Sequence, residues 1–119
     1  MKSLLWGSQL GWVDPEMLMR EENRLDAEFL RRLSAFRRRQ HDLFVGGRFL
    51  GEIVPRGDNP RREIPNYETT PEVLAAEWES HSGRRACVVV NMGDTARGVE
   101  LPDGRRITVP ALDAIRIDR

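Results

Sequence analysis

Apolar and polar positions along this chain of 119 residues change their period twice. The chain opens with Leu4, Leu5 and Trp6 on consecutive positions. Such a run predicts a short strand covered on both faces. Gly7 and Gly11 then permit tight backbone turns. Asp14, Pro15 and Glu16 form a helix start: a capping carboxylate, a proline fitted to the first turn, and an acid at the positive end of the dipole. From Pro15 to Phe44 the pattern is helical, with a break near Met19–Arg20. Leu25, Phe29, Leu33 and Phe36 recur at helical spacing, with Leu18 and Leu30 beside them. Acids crowd the first half of this stretch and arginines the second, which suits the helix dipole. Gly46-Gly47 ends it.

Pro55, Pro60, Pro65 and Pro71 then rule out a continuous helix. The segment reads as one short strand near Phe49–Val54 and a long loop. Loops of that length usually cover a surface or have a task. After Pro71 the period becomes two. Leu74, Ala76 and Trp78 share one strand face, with Glu77 and Glu79 on the other. RACVVVN, GVEL, RITVP and AIRID read as further strands, and PDGR as an Asp-Gly turn. The fold class is therefore α+β. A strand–loop–helix unit spans 1–47, and a proline-rich link with one short strand spans 48–71. A small antiparallel β-sandwich or sheet of about five to six strands spans 72–119. The first unit has a difficulty: its strand has no sheet, because parallel neighbours need crossover units. Trp6, Leu10 and Trp12 would have only the β domain to pack against.

Composition narrows the chemistry. Charge is balanced, with 19 basic and 19 acidic residues, so no global field draws in nucleic acid or an anionic membrane. The arginine-rich RRLSAFRRRQ reads as a solvated helix end, since its phenylalanine belongs to the apolar stripe. Cys87 stands alone in an apolar run, which excludes an intrachain disulfide and reads as a small buried hydrophobe. His41 and His81 are distant in sequence and have no ligand spacing around them, so no metal or cofactor is expected. The apolar start stops at Gly7-Ser8-Gln9, too short for a signal peptide. No run reaches membrane-span length. The chain carries no readable address, and its localisation is left unassigned.

A strand–loop–helix unit running into a small antiparallel β domain resembles the end of many glycoside hydrolases. These have an eight-stranded (β/α) barrel followed by a C-terminal β-sandwich. LLWGSQLGW resembles a final barrel strand and its loop, and LDAEFLRRLSAFRRRQHDLFVGGRFL the last barrel helix and its exit. VLAAEWES with HSGRRACVVVNMGD resembles the sandwich's central hairpin, and LPDGRRITVPALDAIRI its closing hairpin. The set is similar to a large bacterial family with an uncharacterised glycoside-hydrolase-like barrel. The resemblance implies a (β/α)8 barrel upstream, a parent protein that hydrolyses glycosidic bonds, and a non-catalytic role for this piece. Catalytic carboxylates in such barrels stand on middle strands, which would precede Met1. Whether the natural chain starts at Met1 is left open. The alternative is an independent β module that binds carbohydrate or a partner protein without catalysis. It would have to bury Leu4, Leu5, Trp6 and Trp12 within itself. A torn-off end would expose them to an upstream domain or a partner covering the strand.

The loop after the opening strand carries the substrate-binding candidates. Trp12 offers a face for a sugar ring, and Gln9 a partner for its hydroxyls; the active site of a barrel lies at that end of its strands. Asp14 reads as a helix cap. Trp78 reads as core, because it alternates with Leu74 and Ala76. No catalytic residue is assigned.

Overall fold

In a computed structural model, residues 1–7, 14–64 and 69–119 are described. The chain opens on a helix, not on the predicted strand. α1 spans Lys2–Leu5. A lone strand would leave its backbone groups unpaired, whereas a turn of helix satisfies its own. The Trp6 amide donates to the Lys2 carbonyl at 2.9 Å and that of Leu4 to Met1 at 3.1 Å. The helical turn also changes which side chains go inside. Leu4 and Leu5 are both buried, while Trp6, expected inside, is 51% exposed.

The helical stretch breaks near the predicted place. α2 spans Pro15–Met19, and Arg20 adopts an extended conformation. A 3-10 turn at Glu21–Asn23 leads into α3, Arg24–Arg39, followed by α4, His41–Phe44. Of the predicted stripe, Leu33 and Phe36 are buried and Phe29 packs against them. Leu25 falls outside the core. It lies in the first turn of α3, whereas the contacts to the sheet begin about two turns later. Arg32 donates to the Ala111 carbonyl at 3.0 Å, and Gln40 accepts from Arg116 at 3.1 Å.

The strands are β1 (Arg48–Ile53), β2 (Arg56–Gly57), β3 (Arg61–Arg62), β4 (Thr70–Pro71), β5 (Val73–Glu79), β6 (Arg85–Asn91), β7 (Arg97–Glu100), β8 (Arg106–Val109) and β9 (Asp113–Asp118). The main sheet is antiparallel in the order β1-β5-β6-β9; β2-β7-β8 form a second sheet and β3-β4 a short ribbon. The segment 54–72 is thus more than a loop. β2 joins the second sheet through Arg56 opposite Glu100.

The middle strands of the main sheet, β5 and β6, are buried on both faces, which explains the continuous valine run of β6. Leu74, Ala76, Trp78, Ala86, Val88 and Val90 pack under the helices with Leu4, Leu5, Leu33, Phe36 and Leu43. Val73, Ala75, Cys87 and Val89 pack against Val99, Leu101 and Val109 of the second sheet. Leu74, Ala76 and Trp78 share a face as the period predicted. The other face of β5 begins with buried Val73 and Ala75 and becomes charged only at Glu77 and Glu79.

Trp78 joins the helical layer to the sheet. Its indole N–H donates to the Leu5 carbonyl at 2.9 Å. Its ring meets Phe44 and Phe49 edge-on, with centroids 5.2 and 5.7 Å away. Gly7, at φ +73, sits so close to the indole that a Cβ there would come within 2.7 Å of it. That glycine therefore allows both the turn and the approach. Arg37 reaches back from α3 to the Gly7 carbonyl at 3.1 Å.

Candidate functional site

Gln9 and Trp12, the predicted substrate contacts, lie outside the described residues. Asp14 caps α2, its carboxylate accepting the Glu16 amide hydrogen at 3.0 Å. Trp78 is core. The largest exposed aromatic among the described residues is Trp6. Its indole N–H donates to Glu52 Oε2 at 3.0 Å, and the Lys2 ammonium lies 5.7 Å from its ring centre. Sequence reading assigned Trp6 to a buried strand and so missed this surface.

The surface around Trp6 follows from an irregularity in β1. Phe49 pairs with Trp78 and Glu52 with Ala76, although they are three positions apart. A bulge between Phe49 and Gly51 absorbs the extra residue. Phe49 and Glu52 therefore face the helical side together, and Val54 follows just past the strand's end. Among the described residues the helices pack over β5, β6 and β9, while β1 has the lightest cover. Phe49 and Val54 are both exposed.

The far end of the sandwich is built in the opposite way, from buried polar groups. Glu72 is buried, and its carboxylate accepts from Arg97 Nε at 3.0 Å. Arg62 stands 3.5 Å from its other oxygen, and Arg97 also holds Asp58 at 3.2 Å. A Cβ at Gly93 would crowd the Glu72 carboxylate, which would have to move aside. Asn91 is fully buried. Its amide donates to the Thr95 and Val109 carbonyls at 2.9 and 3.2 Å, and its oxygen accepts from the Gly93 amide at 2.8 Å. Asn59 ties the 55–62 segment to β5 in the same manner, donating to Val73 and accepting from it. The sequence held one hint of this cluster: an asparagine closing an otherwise apolar strand in VVVN.

These groups do not make a hydrolytic site. Glycoside cleavage needs two carboxyl groups across a cleft, roughly 5–10 Å apart and one of them able to give up a proton. Glu72 and Asp58 share one arginine and sit in a packed loop cluster. Asp42, on α4, is held below the usual carboxylate range by Arg116, which donates to both its oxygens at 2.8 and 3.0 Å. That pair links α4 to β9. Burial pushes the Cys87 thiol up to about 11, which suits a packing residue better than a nucleophile. His41 and His81 are both exposed. Among the described residues no three His, Cys, Asp or Glu side chains gather as a metal site, and no helix is long and apolar enough to cross a membrane.

The chain is 60% identical over all 119 residues to a protein of Bacteroides thetaiotaomicron named "Putative glycoside hydrolase". The match spans 100% of this chain and 18% of that relative, which is therefore about 660 residues long. This chain thus corresponds to part of a glycoside-hydrolase-like protein. No protein-family model matches it. No solved structure matches it.

Proposed function

We propose that this chain is the non-catalytic C-terminal module of a glycoside-hydrolase-like protein. It caps and stabilises a (β/α)8 barrel that carries the chemistry. The observation behind this reading is the identity over the full 119 residues to under a fifth of a protein bearing a glycoside hydrolase name. A barrel needs about 250 residues, and the relative has room for one outside the shared stretch. The paired and buried carboxylates of the described surface agree with a supporting role. The parent would hydrolyse glycosidic bonds in a poly- or oligosaccharide, with Trp12 and Gln9 contributing contacts to the sugar.

The test is turnover. Purified chain and full-length relative are assayed side by side for reducing-end release from a panel of polysaccharides. The relative should act on at least one of them and the isolated chain on none. Turnover by the pure chain that disappears on changing one of its carboxylates would sink the proposal.

A second reading draws on a specific observation. Leu4 and Leu5 are fully buried by the chain's own strands and helices, as an independent binding module requires. Cooperative thermal unfolding of the isolated chain, with binding to an insoluble glycan in a pull-down, would favour it.

A further inference from the structure

We propose that the helical-side face of β1, made of Phe49 and Glu52 with Trp6 beside them and exposed Val54 just past the strand's end, is where the rest of the longer polypeptide docks. The inference rests on the reading that this chain is one module of such a polypeptide. Three observations carry it. Among the described residues the helical layer covers β5, β6 and β9 and leaves β1 the lightest cover. The bulge in β1 turns Phe49 and Glu52 to that one side, instead of letting the extra residue send one of them into the sandwich. Trp6 stands out from α1 yet is held in place, its indole fixed by Glu52. Interface cores are enriched in aromatic residues such as Trp6 and Phe49, with polar groups at the rim.

The relative decides between occupants. It carries a stretch 60% identical to this whole chain covalently joined to more than four times as much polypeptide. A covalently linked neighbour has a high effective concentration, so even a modest apolar face is enough to hold it. A second copy of the chain would need a larger face than three or four side chains supply. Val54 and Trp6 are more than half exposed, at 56% and 51%, so covering them removes a large apolar area from water.

The experiment uses a chimera in which this chain replaces the matching stretch of the Bacteroides relative. Hydroxyl-radical footprinting, read by mass spectrometry, compares the chimera with the isolated chain. Trp6 and Phe49 should be oxidised at least about five-fold more slowly in the chimera, as expected for groups in a water-excluding interface. Met19 serves as the internal reference, being 86% exposed on α2. Val54→Lys in the chimera should restore the oxidation of Trp6, and circular dichroism of the same variant of the isolated chain checks that the module still folds. Unchanged oxidation of Trp6 and Phe49 overturns the proposed face, and so does protection of Met19 in their place. Protection in the isolated chain that grows with its concentration overturns it in favour of self-association. Glycosidase activity of the chimera is scored separately. An active chimera with an unprotected Trp6 rejects this face and leaves the functional reading standing. An inactive chimera beside an active relative counts against that reading, whatever the footprint.

Discussion

The two faces of the main sheet are closed by different means. On one face, Val73, Ala75, Cys87 and Val89 meet Val99, Leu101 and Val109 of a second sheet. Both layers there are pleated surfaces with regular spacing, and the end of that sandwich is fastened by Asn59, Glu72, Asn91 and Arg97. On the other face the cover is a set of helices, two of them only four residues long. It seals Leu74, Ala76, Val88 and Val90 but leaves β1 in contact with solvent. The sheet-on-sheet side needs only what this chain contains. Among the described residues the helical side covers three strands and leaves the fourth largely open.

The largest test of that contrast is Trp78→Ala. Trp78 is the side chain through which the helical cover grips the sheet: it accepts Phe44 and Phe49 edge-on and donates to the Leu5 carbonyl. Removing a buried aromatic of this size costs about 3–5 kcal/mol. Urea unfolding of the isolated chain should show a loss in that range. The loss should be uneven, with amides of α1 exchanging with solvent sooner than those of β6. Equal acceleration in both would mean that the two faces are one cooperative unit.

Asn91→Ala tests the other face. Its side chain makes three hydrogen bonds without access to water. Truncation leaves the Gly93 amide and the Val109 carbonyl short of partners in a buried place, at a cost of about 2 kcal/mol. The measured loss should come with faster exchange of the 92–96 turn. Asn91→Asp should be no better, since it places an acceptor opposite two carbonyls.

The contrast also marks what the sequence made legible. The strands of the β region were readable because alternation and Asp-Gly chemistry are local. Leu74, Ala76 and Trp78 fall on the face that their spacing predicted. The helix break at Arg20 and the Asp14 cap were readable for the same reason. The opening segment was misread because three consecutive apolar residues suit a buried strand or a helical turn equally well. Its choice of a helical turn packed on β5 and β6 is not written in those three residues. The exposure of Trp6 follows from that choice. The bulge in β1 and the ring of groups around Glu72 depend on pairings between separate segments of the chain, such as Phe49 with Trp78 and Glu72 with Arg97. No local pattern announces them. The candidate contacts Gln9 and Trp12 lie outside the described residues, so the site gained Trp6 and Glu52 from the structure and nothing from the loop.

A smaller effect separates the tie between the layers from their packing. Arg116 holds the Asp42 carboxylate below its ordinary range. The folded protein therefore binds the Asp42 proton less readily than the unfolded chain does. The stabilisation is present at neutral pH and is lost as pH falls from about 4 through the lower folded value. Asp42 is 42% exposed, so solvent screening limits the contribution to about 0.5 kcal/mol. Asp42→Asn should lower stability by that amount at pH 7 and by less near pH 2, as read by chemical denaturation at both values. A larger loss at pH 2 than at pH 7 would contradict the sign.

The smallest expected effect is the most diagnostic for the open strand. Val54 follows β1 directly and is exposed. Replacing it by threonine keeps the branched shape and the strand propensity and adds one hydroxyl. In the isolated chain that hydroxyl meets water, so stability should change by less than about 0.5 kcal/mol. Inside a longer polypeptide whose remaining part covers β1, the same hydroxyl would be buried without a partner, at a cost of about 1–3 kcal/mol. The comparison therefore pairs one substitution with two settings, the isolated chain and the chimera, each measured by urea unfolding. A neutral result in the chain and a loss in the chimera would locate the missing cover at β1. Neutrality in both would return Val54 to the ordinary class of solvent-exposed valines, and β1 to the edge of a sheet that nothing else touches.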